Sequence, residues 1–391
     1  MKQIVVIGAG SAGVAFAQAA AKNLSPSEAK ITIIEKCEFF YHVFGSLRAM
    51  VDTTFIPKVV IPYDNAFSAY PDVDLKFASV DSISYETNIV TYTPNASSDD
   101  AANPNPPQQK TLQYDYLVLA TGSSYPSPIK PQGMTRTPAT IKTELANTAK
   151  KIRSSSKIMV IGGGAVGIEM AGELKTFYPK KKIMLIDRNA ELLSNQEVPK
   201  LRGPIKEALQ ELGVELFLGQ RLTGERFTSH QFGTKNLVTE SGLIIESDAQ
   251  LVCAGMKPNS DLMKDPRCLD GHFITVKLNM QVDSAALEYE KVFVLGDASD
   301  HPTPKLGYWA GLQGQHLAKS IAEHIRNGKQ FEEYVGPSTE VLILPLGPDG
   351  GLTHLPLCGG LVAGNFLTRM FKSKDLMAGM SWKMLNAEMP S

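Results

Sequence analysis

No two cysteines of this chain stand close enough in sequence to form a redox dithiol or a metal clip. The four, Cys37, Cys253, Cys268 and Cys358, are widely separated and make no CxxC or CxxxxC pair. Neither a dithiol active site nor a Cys-rich metal site is expected from such spacing, and so few cysteines suit a reducing compartment. Excess charge is missing as well: 39 Lys and Arg face 40 Asp and Glu, for a net charge of −1. Without a basic surplus or stripe the chain has no electrostatic footprint for nucleic acid. The basic runs Lys150-Lys151-Ile152-Arg153 and Lys180-Lys181-Lys182 are short and read as solvated helix ends. No uninterrupted apolar stretch reaches membrane-spanning length. Lys2 stands where N-myristoylation requires glycine, so no acyl anchor is expected there. Lys2, an apolar run and Ala-rich sequence through Ala21 imitate a signal peptide, but the embedded glycines and the strand pattern that follows make this a first βαβ unit.

What the chain does have is glycine placed by rule. The run IVVIGAGSAG carries Gly8, Gly10 and Gly13, and Glu35 of the following ITIIEK stands 22 residues after Gly13. The run IMVIGGGAVG carries Gly162, Gly164 and Gly167, and Asp187 of IMLIDR stands 20 residues after Gly167. In a strand–turn–helix of this kind the first glycine permits a tight turn and the second lets the backbone approach a pyrophosphate. The third lets the helix pack close on the sheet. The pyrophosphate then lies on a helix N-terminus, where unpaired N–H groups and the dipole favour an anion, and the acid accepts from a ribose. One such motif is weak evidence. Two of them imply a chain that holds two dinucleotides.

The 391 residues suit two or three domains, with 43% hydrophobic and 20% charged residues, as in an ordinary soluble globular protein. Strands are expected over 2–8 and 31–35 around a helix Ala12–Lys22, and alternating antiparallel strands over Val73–Val90. Pro94–Gln109 is too rich in Pro, Asn, Asp and Ser to pack and reads as a solvated loop. The strand YDYLVLATGS ends in Ala120-Thr121-Gly122, and the plan then restarts. A helix near Lys142–Arg153 leads to strand Lys157–Ile161, helix Ala165–Thr176, strand Lys182–Asp187, a helix near Pro199–Leu212 and strands closing at Gly255. The placement of AQLVCAG mirrors that of LVLATG, which makes the chain an internal repeat. KVFVLGDA is a buried strand ending in Gly296-Asp297, and a helix from about Pro304 to Arg326 follows, with Thr303 as its cap. Two strand-like pieces, VLILPLG and GGLTHL, and an amphipathic stretch Asn365–Leu385 complete the chain.

The order fingerprint, ATG, fingerprint, CAG, GD resembles the two-dinucleotide-binding-domain flavoproteins across nearly the whole chain. The resemblance implies an α/β fold with two Rossmann-like domains, one for FAD and one for NAD(P)H, plus a small C-terminal α+β domain. The FAD part falls on 1–125 and 263–330, the NAD(P)H part on 126–262, and an interface or quinone-side domain on 331–391. Flavin contacts are then expected from Gly8, Gly10, Ser11, Ala12, Gly13, Glu35, Lys36, Ala120, Thr121, Gly122, Gly296, Asp297, Lys305 and Leu306. The nicotinamide nucleotide falls on Gly162, Gly164, Gly167, Asp187 and Gly255. Asp187 would accept from a 2′-hydroxyl and repel a 2′-phosphate, which favours NADH over NADPH; the adjacent Arg188 works against that preference.

Disulfide reductases of this superfamily carry a cysteine pair after the first acid, whereas here the segment reads FFYHVFGSLRAMVD. The chain resembles the ferroptosis suppressor group, also called apoptosis-inducing factor homologous proteins, which are NAD(P)H:quinone oxidoreductases. The resemblance rests on His42 with Leu47-Arg48-Ala49, on Ala120-Thr121-Gly122-Ser123 with Lys130, and on GGGAVGIEMAGELKTFYP. It extends to Thr303-Pro304-Lys305 with Tyr308-Trp309-Ala310-Gly311, and to Lys372-Ser373-Lys374-Asp375-Leu376 with Ser381-Trp382-Lys383. It implies FAD contacts at Arg48 and Val80, an acid near the nicotinamide at Glu169 and a lysine near the flavin at Lys130, the last two being the candidate catalytic residues, and no metal. Met377 stands where the group has an aromatic. The tail from Asn365, with Phe366, Leu367, Met370, Phe371, Leu376, Met377 and Trp382, either forms a quinone entrance that touches a membrane surface or packs on the flavin domain or a dimer partner.

The resulting expectation is an FAD-dependent NAD(P)H:quinone oxidoreductase that moves hydride from NADH to flavin and two electrons to a ubiquinone-like acceptor. It would be cytoplasmic, or peripheral on the mitochondrial outer membrane or lipid droplets, as a monomer or homodimer. Two alternatives stay open. One is a type II NADH dehydrogenase-like or biosynthetic pyridine-nucleotide reductase with another acceptor, and the other is a redox-gated death effector with little turnover.

Overall fold

The computed structural model describes residues 1–95, 107–133, 136–194, 198–224, 226–336, 341–356 and 360–390. Most of the expected loop Pro94–Gln109, and Cys358, lie outside them. The chain forms two compact units, each assembled from three stretches. The first takes Met1–Phe40, Pro62–Ser124 and Met256–Pro337, and the second Tyr41–Ile61, Tyr125–Gly255 and Ser338–Ser391.

In the first unit Lys2–Ile7 is a central strand, parallel to Ala29–Glu35 on one side and to Tyr116–Leu119 on the other. Its Ile4, Val5, Val6 and Ile7 are buried, as expected of a parallel strand covered on both faces. Val292–Val294 extends the parallel sheet beyond Tyr116–Leu119. Helix Ser11–Asn23 packs on helix Gly307–Asn327. Gly314 sets that approach, because a Cβ there would stand 2.5 Å from the Ala12 carbonyl oxygen.

The region read as short antiparallel strands contains one long strand, Val73–Ser84. Its first residues run parallel to Ala29–Glu35, with Val73 opposite Ile31 and Phe77 opposite Glu35. Only its later part pairs antiparallel, with Ile89–Pro94, which in turn pairs with Lys110–Gln113. Alternation reports that a strand has two unlike faces; it carries no information on the direction of its partner.

The second unit repeats the plan. Val214–Leu218, Lys182–Asp187, Lys157–Ile161 and Ile244–Val252 lie side by side in parallel, and Gln231–Val238 closes the edge antiparallel. A small antiparallel sheet of Leu342–Pro345, Gly351–Leu355 and Leu361–Ala363 belongs to this unit; its third strand is not evident in the sequence. Helix Ala165–Phe177 meets it at Gly172, where a Cβ would come 2.7 Å from Leu346 Cα. The C-terminal stretch is a broken helix. Asn365–Thr368 runs into a π-helical turn Arg369–Ser373, and Ala378–Met384 resumes after Leu376 and Met377, which adopt φ of 54° and 62°. Asp375 accepts the N–H groups of Met377 and Gly379 and stabilises the break. The fold is thus α/β, with two parallel-sheet units and a small α+β element at the C-terminus. No described helix is long and apolar enough to cross a membrane.

Candidate functional site

The two fingerprints repeat each other in space. Gly8 (φ +100°) and Gly162 (φ +120°) occupy backbone that only glycine adopts readily. A Cβ on Gly8 would fall 2.4 Å from the Ala120 carbonyl oxygen, and one on Gly162 would fall 2.8 Å from the Ala254 side chain. The third glycines are sterically required too: a Cβ on Gly13 or Gly167 would sit 1.9 Å from the carbonyl oxygen of Gly8 or Gly162. The middle glycines are different. Gly10 (φ −71°) and Gly164 (φ −81°) have dihedrals open to any residue, and a Cβ on either would meet nothing within 4 Å. The protein itself gives no reason for glycine at these two positions, whereas a pyrophosphate approaching the backbone does. Each middle glycine caps its helix with no side-chain hydrogen bond, and neither first turn holds an acid. The N–H groups there are available to an anion, so both cradles fit a dinucleotide.

The acids are held alike. Glu35 accepts the Ala9 N–H at 2.6 Å and the Cys37 N–H at 2.8 Å. Asp187 accepts the Gly163 N–H at 2.5 Å, and its other oxygen accepts from the backbone and side chain of Asn189. In each unit the residue after the first glycine donates to the acid, which fixes the carboxylate beside the cradle. Tyr63, which no sequence signal marked, donates its hydroxyl to the Ala9 carbonyl. Burial, with Glu35 second, pushes the Tyr63 phenol well above its ordinary value. Of the other expected flavin residues in this unit, Ala12 and Ala120 are buried, Ser11 and Val80 half-buried and Lys36 exposed.

The ATG and GD segments meet within the first unit. Thr121 Oγ1 donates to the Asn259 carbonyl, and Asn259 Nδ2 returns a bond to the Thr121 carbonyl. Ser123 donates to Asp297 at 2.6 Å. Gly122 and Gly255 both adopt positive φ with open space around them. The helix after Gly296-Asp297 begins at Gly307, later than expected, with Leu306 as a cap that makes no side-chain bond. Thr303 is therefore not its cap, and Pro304 lies before its first turn. The Thr303 hydroxyl is instead taken up by Gln313, whose Nε2 donates to it at 2.5 Å. Lys305 donates to the His301 carbonyl, and burial lowers its pKa.

The second unit gathers Arg48, Glu169, His42 and Lys372, which the sequence marks separately, into one buried polar cluster with Glu173, which it does not mark. Glu169 and Glu173 share one face of helix Ala165–Phe177. Lys372 Nζ donates to Glu169 Oε1 at 2.8 Å and lies 5.3 Å over the Phe44 ring. Arg48, 2% exposed, clamps Glu173 through Nε and Nη2, and its Nη1 donates to the carbonyls of Ser373 and Lys374. Burial raises the Glu173 pKa while Arg48 opposes the shift. His42 bonds the Leu376 carbonyl and the Ser381 hydroxyl, and burial pushes it down to about 4. Trp382 donates to the Lys58 carbonyl. These contacts fasten the tail to segment 41–61 and to the fingerprint helix within one unit. Lys130 lies 5.6 Å over the Tyr125 ring. The sequence singled out His42, Arg48, Glu169 and the Lys372–Leu376 segment one by one, but carried no local signal that they meet. Among the described residues no group of three or more His, Cys, Asp or Glu could hold a metal ion.

The model of the family described as pyridine nucleotide-disulphide oxidoreductase matches residues 2–314. Ferroptosis suppressor protein 1 of Taeniopygia guttata is 30% identical over 395 residues, spanning 100% of this chain and 97% of that protein. Apoptosis-inducing factor homolog B of Dictyostelium discoideum is 27% identical over 412 residues, spanning 100% of this chain and 98% of that protein. The sulfide:quinone oxidoreductase of Aquifex aeolicus shares the fold, with a TM-score of 0.74 at 17% identity, over 100% of this chain and 93% of that one. With both fingerprints inside the matched span and full-length likeness to the ferroptosis suppressor and apoptosis-inducing factor homologs, the chain belongs to the pyridine nucleotide-disulphide oxidoreductase family.

Proposed function

We propose that this oxidoreductase binds FAD in its first unit and NADH in its second, and passes two electrons to a lipophilic quinone. The observation that carries the reading is the pair of middle glycines, Gly10 and Gly164, which face open space at uncapped helix N-termini. FAD held there would accept hydride from the nicotinamide and hand on its electrons. Gly8, Gly10 and Gly13 would seat its pyrophosphate, Glu35 its adenosine ribose and Asp297 its ribityl chain. Asp187, held by Gly163 and Asn189, would accept from the NADH 2′-hydroxyl and disfavour a 2′-phosphate. Glu169 is kept beside the second fingerprint by Lys372.

The chemistry of the cysteines supports a non-disulfide acceptor. Cys37, Cys253 and Cys268 are buried, and burial pushes the Cys253 thiol up to about 12, far from a reactive thiolate. A lipophilic acceptor suits the tail's outer face. Phe366 (80% exposed), Met370, Phe371 and Met380 lie open among Arg369, Lys374 and Lys383, which are also exposed. This mixture suits peripheral contact with a membrane surface. Its inner face, with Leu376, Ala378, Trp382 and Leu385, is buried, so the test needs substitutions rather than deletion of the tail. Anaerobic titration of the flavoprotein with NADH and NADPH, followed by short- and long-chain quinones, tests the assignment. NADH is expected to reduce the flavin at lower concentration than NADPH, and Phe366→Ser with Phe371→Ser to impair only long-chain quinone turnover. Reduced flavin that no quinone reoxidises would overturn the acceptor.

A further inference from the structure

Behind Asp297 lies a hydrogen-bond chain whose direction is fixed at both ends by backbone. The Gly296 N–H, which can only donate, bonds Gln313 Oε1 at 2.8 Å. Gln313 must therefore present Nε2 to Thr303 Oγ1, at 2.5 Å. At the far end the Leu278 carbonyl, which can only accept, lies 3.2 Å from His301 Nε2. That nitrogen carries the proton, so His301 Nδ1 is an acceptor and takes the Thr303 hydroxyl at 3.2 Å. Every link then runs one way: Gly296 N–H to Gln313, Gln313 to Thr303, Thr303 to His301, and His301 to Leu278. Gln313 and His301 are each 1% exposed, and Thr303 is buried. His301 Nδ1 also lies 3.4 Å from the Thr303 N–H and 3.4 Å from Gln313 Nε2, so the three side chains close into one buried cluster whose members hold one another rigidly.

The chain ends on the peptide that carries the cofactor-facing acid. Gly296 has φ +67°, and a Cβ there would press on Ala310 at 3.1 Å. Its amide thus turns out of the strand ladder and needs the acceptor that Gln313 supplies. The next residue, Asp297, is aimed from its other side by the Ser123 hydroxyl. His301 is the hub of a second tether, because its carbonyl receives the Lys305 ammonium.

We propose that the Gln313–Thr303–His301 chain is a positioning device for the flavin, holding Asp297 and Lys305 in the geometry that FAD requires. This rests on the reading of the first unit as the FAD unit. The three residues act through Asp297 and Lys305 and touch no substrate.

FAD release from the holoprotein, followed by flavin fluorescence across the weakly acidic to alkaline range, tests the proposal. Gln313→Leu and Thr303→Val should each weaken FAD binding by about tenfold, the scale of one unmade buried hydrogen bond. Thr303→Val keeps the methyl group that packs on Gly336 and carries the test if Gln313→Leu does not fold. Gln313→Glu gives a readout that mere packing would not. In its protonated form the introduced carboxyl accepts from Gly296 and donates to Thr303 as the amide does; ionised, it has no proton to give. FAD binding by that variant should therefore match wild type at acid pH and weaken as pH rises, with burial moving the transition above the usual carboxyl range. The charged and titratable neighbours are Asp297, Asp300, Lys305 and Tyr334, whose ring lies 6.0 Å from that of His301. They are present in wild type too, whose curve sets the baseline. Wild type that takes up no FAD would overturn the functional reading. Wild type that binds FAD while all three variants match it at every pH would overturn the positioning role alone.

Discussion

Alanine at Gly10 and alanine at Gly13 separate what the fold needs from what the ligand needs. The two positions lie three residues apart in one motif, yet their surroundings are opposite. A Cβ on Gly13 would stand 1.9 Å from the Gly8 carbonyl oxygen. A comfortable carbon–oxygen contact is about 3.3 Å, so helix and strand would have to part by more than about 1 Å. Overpacking of that kind costs about 1–3 kcal/mol or more. A Cβ on Gly10 would meet nothing within 4 Å, and its φ of −71° is ordinary for alanine. Gly10→Ala should therefore change stability by no more than about 0.5 kcal/mol. FAD should feel the reverse order. On the proposed function the methyl group would occupy the space through which the pyrophosphate approaches the backbone, and a loss of about tenfold in affinity, or about 1.4 kcal/mol, is a conservative expectation. Urea denaturation of the apoprotein measures the first quantity and flavin titration the second. Gly10→Ala that binds FAD like wild type, or that unfolds as readily as Gly13→Ala, would refute the assignment of open space to a dinucleotide. Gly164→Ala offers the same contrast with Gly167→Ala for NADH, since the geometry repeats.

Arg48→Leu leaves Glu173 buried without its cation and should cost about 3–5 kcal/mol of stability at neutral pH. Burial already raises the Glu173 pKa, and losing Arg48 raises it further. A carboxyl whose folded pKa exceeds its unfolded one favours folding as it takes up a proton. The defect should therefore shrink as pH falls below neutral, and a defect that is constant from neutral to mildly acid pH in denaturant melts would contradict the pairing. His42 behaves in the opposite sense. Burial pushes it down to about 4, so the folded state excludes the proton that the unfolded chain accepts near pH 6.5. Its contribution is present above about pH 6.5 and is lost as pH falls toward about 4, on the order of 3 kcal/mol in all. His42→Asn should flatten that slope; an unchanged slope would show that other groups carry it.

The parts of this molecule legible in its sequence are those in which a short segment determines its own geometry. The fingerprints, the strands Lys157–Ile161 and Lys182–Asp187 and the helix between them come out as the residues imply, because turn, anion cradle and helix start are all local. The tail was legible as amphipathic, but its break was not. Left-handed Leu376 and Met377 are sustained by Asp375 and by His42, which bonds the Leu376 carbonyl from far away in sequence. The Arg48–Glu173 pair joins residues 125 positions apart, and no local pattern announces it. Thr303 shows the same limit in reverse. Thr-Pro ahead of a helical run is a good capping signal, yet Gln313 presents it with a better-buried partner.

The interleaving of the two units bears on how the protein is made. Each draws on an early, a middle and a late stretch of chain. The first lacks its edge strand Val292–Val294 and the helix Gly307–Asn327 until most of the polypeptide has left the ribosome. The second waits longer still, because Arg48 and Glu169 meet the Ser373 carbonyl and the Lys372 ammonium only when the final segment emerges. Until those late stretches emerge, the nascent chain carries two unfinished sheets at once. A chain cut off after the second fingerprint holds only parts of both units, and their unpaired strand edges are the kind of surface that promotes misassembly.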